Sequence, residues 1–235
     1  MRERGAVRTG SRPQSGGRPP ARGPVGGILA RVPLTTVYVL LLTAVAWWLA
    51  SQSRAGRARF VRHNSSNVHH MEVGQWWTLF TSGLVVDGVP AWAGIAAVAA
   101  ALGLAEWRWG SLRAGAVFVA GHVGATLLTE GAMWVMLSTG IPGALSHERD
   151  VGISYGLVAT VGCLLALGAA PIRYFGLPAL ALALVVAWAL DQQLADAGHL
   201  IALGIGVLAA QTGWLRDLPP RPGPPPRDGR RPLDG

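Results

Sequence analysis

The chain contains no lysine: all 20 of its basic residues are arginine. Charged residues of both signs make up 14% of it, well short of what the surface of a soluble domain of this size requires. It holds one cysteine, Cys163, so no intramolecular disulfide can staple the fold, and that residue is expected to pack as a small apolar group. Acidic residues number 12, leaving a net charge of +8. A basic chain raises the question of nucleic acid, but no recognition helix or interleaved aromatic pattern accompanies the arginines, so no nucleic-acid partner is expected. Close His/Glu spacing of the His-Glu-x-x-His kind is also missing, and neither a metal nor another cofactor is expected.

What the sequence has is apolar length. Hydrophobic residues are 51% of the chain and fall in runs too long for the core of one soluble domain. A spanning helix needs about 20 mostly apolar residues. Six segments qualify as candidates, 33–51, 89–107, 112–137, 152–170, 174–190 and 197–214, which makes the expected fold all-α, a polytopic membrane bundle. Residues 1–32, rich in Arg, Gly and Pro, and 215–235, which read RDLPPRPGPPPRDGRRPLDG from Arg216 onward after Leu215, cannot bury a core and are expected to be disordered tails. With six spans both tails share a side, and that side carries 15 of the 20 arginines. The positive-inside bias then makes both termini cytoplasmic and the protein a multi-pass resident of the plasma membrane. Tryptophans near the segment ends agree: Trp47, Trp48, Trp134 and Trp188 on the outer side, Trp107, Trp109 and Trp214 on the inner. The tail arginines suit anionic lipid headgroups, so the lipid bilayer is the first partner.

Within this frame DVGISYG (150–156) and DAGHLIALGIG (196–206) open the fourth and sixth segments from the same side. Ser154 and His199 therefore come to matched depth in the outer leaflet. Serine in a spanning helix usually packs or bonds to its own turn. A histidine at the same level changes that reading, because it can take the serine proton and make the hydroxyl a nucleophile. Asp150 lies four residues before Ser154 on the same helix face, where a carboxylate caps the helix and can also fix the His199 tautomer. Glu130 stands at similar height, whereas His122, eight residues earlier, is about 12 Å deeper along its helix and is expected to pack between helices.

Four ordered pieces resemble the rhomboid intramembrane serine proteases: GQWWTLFTSG (74–83), LAEWRWGSLR (104–113), GIS (152–154) and GH (198–199). The resemblance covers roughly residues 33–214 and implies a six-helix rhomboid-like transmembrane domain there. It makes Ser154 the nucleophile, Gly152 the first glycine of the family's Gly-x-Ser-Gly, and His199 the general base, with Ala202 and Gly206 as small residues where helices four and six touch. The chain also departs from the pattern. Tyr155 replaces the second glycine, Val158 an aromatic that packs on the histidine, Thr78 an arginine of the outer loop, and Pro90 and Gly94 the His-x-x-x-Asn pair that stabilises the oxyanion. One such donor is worth about 10²–10³ in rate. Backbone N–H groups opening helix four, the Tyr155 hydroxyl, or His69 and His70 are the substitutes available. Three functions follow: a protease cutting transmembrane segments near the outer leaflet, a pseudoprotease that binds transmembrane helices as clients, and a metal-dependent membrane hydrolase built on His199 with Asp150, Glu130 or a loop histidine.

Overall fold

The computed structural model describes residues 29–86, 89–140, 153–191 and 193–216. Asp150, Gly152 and nearly all of both tails lie outside these residues. The described residues form an all-helical membrane protein. Helix α1 is Pro33–Ser51, followed by three short loop helices, α2 (Arg54–His63), α3 (Val68–Glu72) and α4 (Thr78–Thr81), and a 3₁₀ turn, Ser82–Leu84. Then come α5 (Ala91–Trp109), α6 (Ser111–Ser138), α7 (Ser154–Ala166), a π turn (Ile172–Gly176) running into α8 (Leu177–Asp191), α9 (Leu194–Ala209) and α10 (Gly213–Arg216). Six long or apolar helices thus occupy the six segments read from the sequence.

The helix ends show why the chain folds where it does. Pro33 opens α1 at a position whose N–H has no helical partner in any case. The next two amides, Leu34 and Thr35, donate to the two carboxylate oxygens of Glu106 at 2.9 and 2.7 Å. Ser111 donates to the same carboxylate at 2.6 Å from across the α5–α6 turn, which Gly110 makes at φ 83°. Glu106 therefore places a buried negative charge on the positive end of α1 and ties three helix ends together. This is the physical content of LAEWRWGSLR.

Helices α1, α6 and the α8 segment from Ile172 to Leu190 are long and apolar enough to cross a membrane by length and composition. Helix α7 differs from its expected span. At thirteen residues it is about 20 Å long, less than the hydrocarbon core it was expected to cross alone. It packs between α6 and α9, with Tyr155, Gly156, Ala159, Thr160 and Cys163 buried. Close approach comes from small residues on each contact face. A Cβ on Gly121 of α6 would stand 2.1 Å from Ala159 Cβ, and one on Gly206 of α9 would stand 2.1 Å from the Ala159 carbonyl oxygen. Ala202 is fully buried in the same seam. The contact between segments four and six is where the small-residue pattern puts it.

The α6–α7 contact corrects the expected depth of His122. A Cβ on its neighbour Gly121 would lie 3.3 Å from the Tyr155 carbonyl, which puts His122 level with the first turns of α7 rather than well below them. The difference arises because α7 starts well below the C-terminal end of α6. His122 nevertheless turns away from α7, toward the loop. Its Nε2 is 3.2 Å from Ser82 Oγ, which accepts from Ser66 Oγ at 3.1 Å, all three residues being buried. The Tyr38 hydroxyl donates to the adjacent Gly83 carbonyl. Tyr38 is thirteen residues before the C-terminal end of α1, so the loop dips about 20 Å along that helix. The polar residues that let it do so are the ones it keeps paired.

Candidate functional site

Helices α7 and α9 open side by side. Ser154, half-buried, is the first residue of α7 and Tyr155 the second. The Tyr155 ring, 2% exposed, meets the His199 ring edge-on with centroids 5.1 Å apart. Glycine at 198 is required for this approach, since a Cβ there would lie 2.3 Å from the tyrosine hydroxyl oxygen. Tyr155 thus supplies the aromatic face that Val158 lacks. Val158 packs with Tyr155, Ala159, Ala202 and Ala125 in the cluster beneath.

Among the described residues no hydrogen bond joins Ser154 to His199. The structure brings together Tyr155 and His199, and so the turn that carries Ser154. Among the described residues the first helical bond of α7 runs from the Leu157 N–H to the Ile153 carbonyl. The N–H groups of Ser154 and Gly156 belong to this opening turn, at the positive end of the helix dipole. Such a turn can hold a developing oxyanion without any side-chain donor.

The corner assigned to the missing His-x-x-x-Asn pair is filled with hydrocarbon. A Cβ on Gly94 would meet Val86 Cγ1 at 2.6 Å and Ile153 Cδ1 at 3.5 Å, so helix α5 does reach the residue preceding Ser154, but with Val86 in the space a donor would need. Pro90 caps α5 at an exposed position beside Val86, Val89 and Leu42. The loop histidines are engaged elsewhere: His70 Nδ1 lies 2.6 Å from the Ser65 carbonyl, and its amide donates to Asn67 at 2.9 Å. Thr78 is buried and donates to the Gln75 carbonyl at 2.8 Å, a helix-start contact in place of an arginine.

Two features of the site were not singled out from the sequence. One is Asp196, whose Oδ1 is 3.8 Å from His199 Nδ1. The signal was present in DAGH, an acid three residues before a histidine on one helix face. The other is the buried Ser66–Ser82–His122 chain, which no spacing rule could find because its members come from three elements. Among the described residues no group of three or more His, Cys, Asp or Glu is arranged to hold a metal ion.

This architecture defines a polytopic all-α membrane protein with a serine and a histidine on adjoining central helices. A family model described as rhomboid-like protein matches residues 28–212, and the chain belongs to that family. No curated protein and no solved structure matches it.

Proposed function

We propose that this rhomboid-like protein is an intramembrane serine protease that cuts transmembrane segments near the outer leaflet, with Ser154 as nucleophile and His199 as base. The observation that carries the reading is the Tyr155–His199 contact, which sets the opening turn of α7 against that of α9. A longer Ser–His separation without substrate is ordinary, since catalytic hydrogen bonds often tighten only in the complex. In this reading the Ser154 oxygen attacks a peptide carbonyl carbon while its proton passes to His199 Nε2. The oxyanion is held by N–H groups of the α7 start. The C–N bond then breaks, His199 returns the proton to the leaving amine, and water hydrolyses the acyl-serine. Asp150 and Gly152, just ahead of this turn, would support it, and Tyr155 orders the histidine. The protein would lie in the plasma membrane with both termini cytoplasmic.

The test is cleavage of a panel of single-span substrates by protein in detergent or bilayers. Cleavage by the parent should be abolished in Ser154→Ala and in His199→Ala by similar factors, because members of a unit are not additive. Cleavage that persists in either variant ends this reading. A second reading, a pseudoprotease that holds transmembrane helices without cutting, is favoured by one observation: Val86 fills the Gly94 corner where a donor would stand. Stable capture of those substrates by parent and Ser154→Ala alike, with no product, would support it.

A further inference from the structure

We infer that Asp196 is the residue that positions His199, holding its ring with Nδ1 protonated and Nε2 free to receive a proton. The inference rests on the reading of His199 as a base and adds a third member to what the resemblance makes a dyad. Asp196 Oδ1 lies 3.8 Å from His199 Nδ1, one turn apart on α9, with the two side chains 16% and 19% exposed. That is an ion-pair distance, longer than a hydrogen bond.

An acid in the first turn of a helix is also favoured by the helix dipole, and a cap would account for Asp196 if its carboxylate accepted from the backbone. It does not do so among the described residues: Asp196 Oδ2 is buried with no hydrogen-bond partner, and Oδ1 faces His199. The contact that the carboxylate does make is with the imidazole. Its placement also decides which nitrogen works. With Oδ1 beside Nδ1, the proton of the neutral ring belongs on Nδ1, and the lone pair is left on Nε2. When Nε2 takes the serine proton the ring becomes a cation, and the attraction draws Nδ1–H onto the carboxylate in a medium of low dielectric.

Other ionisable side chains that the neighbouring helices contribute toward this end of the bundle are Tyr155 on α7, in ring contact with His199, His122 on α6, level with the first turns of α7 and turned toward Ser82, and Glu130, buried two turns further along α6. Asp150, ahead of α7 in the sequence, is a third acid to separate from Asp196. The experiment must therefore separate three acids.

Nitrogen-15 spectra of ring-labelled histidine, with the His199 signal identified by its loss in His199→Gln, read the tautomer directly and need no activity. The parent should carry the proton on Nδ1. Asp196→Asn, which presents an amide donor to Nδ1, should move it to Nε2, with helicity and melting temperature unchanged. Glu130→Gln and Asp150→Asn should leave it on Nδ1. The same Asp196→Asn protein should be labelled at Ser154 by a fluorophosphonate about 10²–10⁴ times more slowly, with the inhibitor's dissociation constant little changed. An unmoved tautomer in a folded Asp196→Asn protein, or a tautomer that answers to Asp150 or Glu130 instead, overturns the inference. A parent that shows the Nδ1 tautomer but never labels defeats the protease reading while leaving Asp196 as the residue that orients the ring.

Discussion

Glu106 shows how much one side chain can organise. It is fully buried, carries a charge, and makes three hydrogen bonds to the starts of α1 and α6. Removing it leaves two amides at the α1 terminus without acceptors. Glu106→Ala should cost about 2–3 kcal/mol, and Glu106→Gln less, since one amide oxygen can still accept. Thermal melting in detergent checks both, and a melting point unchanged in the alanine variant would mean that α1 is held by its apolar contacts alone. Tyr155 makes the complementary point at the site. Read as sequence it is a departure from Gly-x-Ser-Gly, and nothing in one chain says that the neighbouring Val158 and the glycine at 198 go with it. Only the packing shows Tyr155 against His199, with Gly198 leaving room for it.

At the scale of elements the fold depends on how closely α7 can be gripped by α6 and α9. The Gly206 contact is with a backbone carbonyl, which cannot swing aside as a side chain can. Gly206→Ala should therefore lower stability by about 1–3 kcal/mol. Gly204, on the same helix with nothing within 4 Å of the added Cβ, is the control, and Gly204→Ala should be neutral or slightly stabilising. Equal melting of the two variants would disprove the grip. This contact was legible from the resemblance, which singled out Ala202 and Gly206, as the helices were from apolar length. Helix lengths inside the bundle were not. Hydropathy reads 152–170 as one span, but the helix packed between α6 and α9 stops after thirteen residues. The deep loop was equally hidden: GQWWTLFTSG looks like surface sequence until Ser82 and Gly83 are seen against His122 and Tyr38.

For the whole molecule, the arginine distribution and the interfacial tryptophans make a definite topology the natural expectation. Single cysteines in a Cys163→Ser background should react with an impermeant thiol reagent in intact cells when placed within 52–75, and should be protected when placed in either tail. Protection of 52–75 would invert the chain and put the openings of α7 and α9 on the inner side, with cleavage then expected at the other end of a substrate helix. In the proposed function, the acid, histidine and serine at those openings make the molecule more than a helix-binding scaffold. That claim reduces to the reactivity of one hydroxyl. A fluorophosphonate probe applied to the parent protein, with the modified residue located by mass spectrometry, measures it directly. The account predicts one adduct, on Ser154, absent in Ser154→Ala and slowed by about 10² or more in His199→Ala. A correctly folded parent that takes up no probe at Ser154, or takes it up equally well without His199, would contradict it.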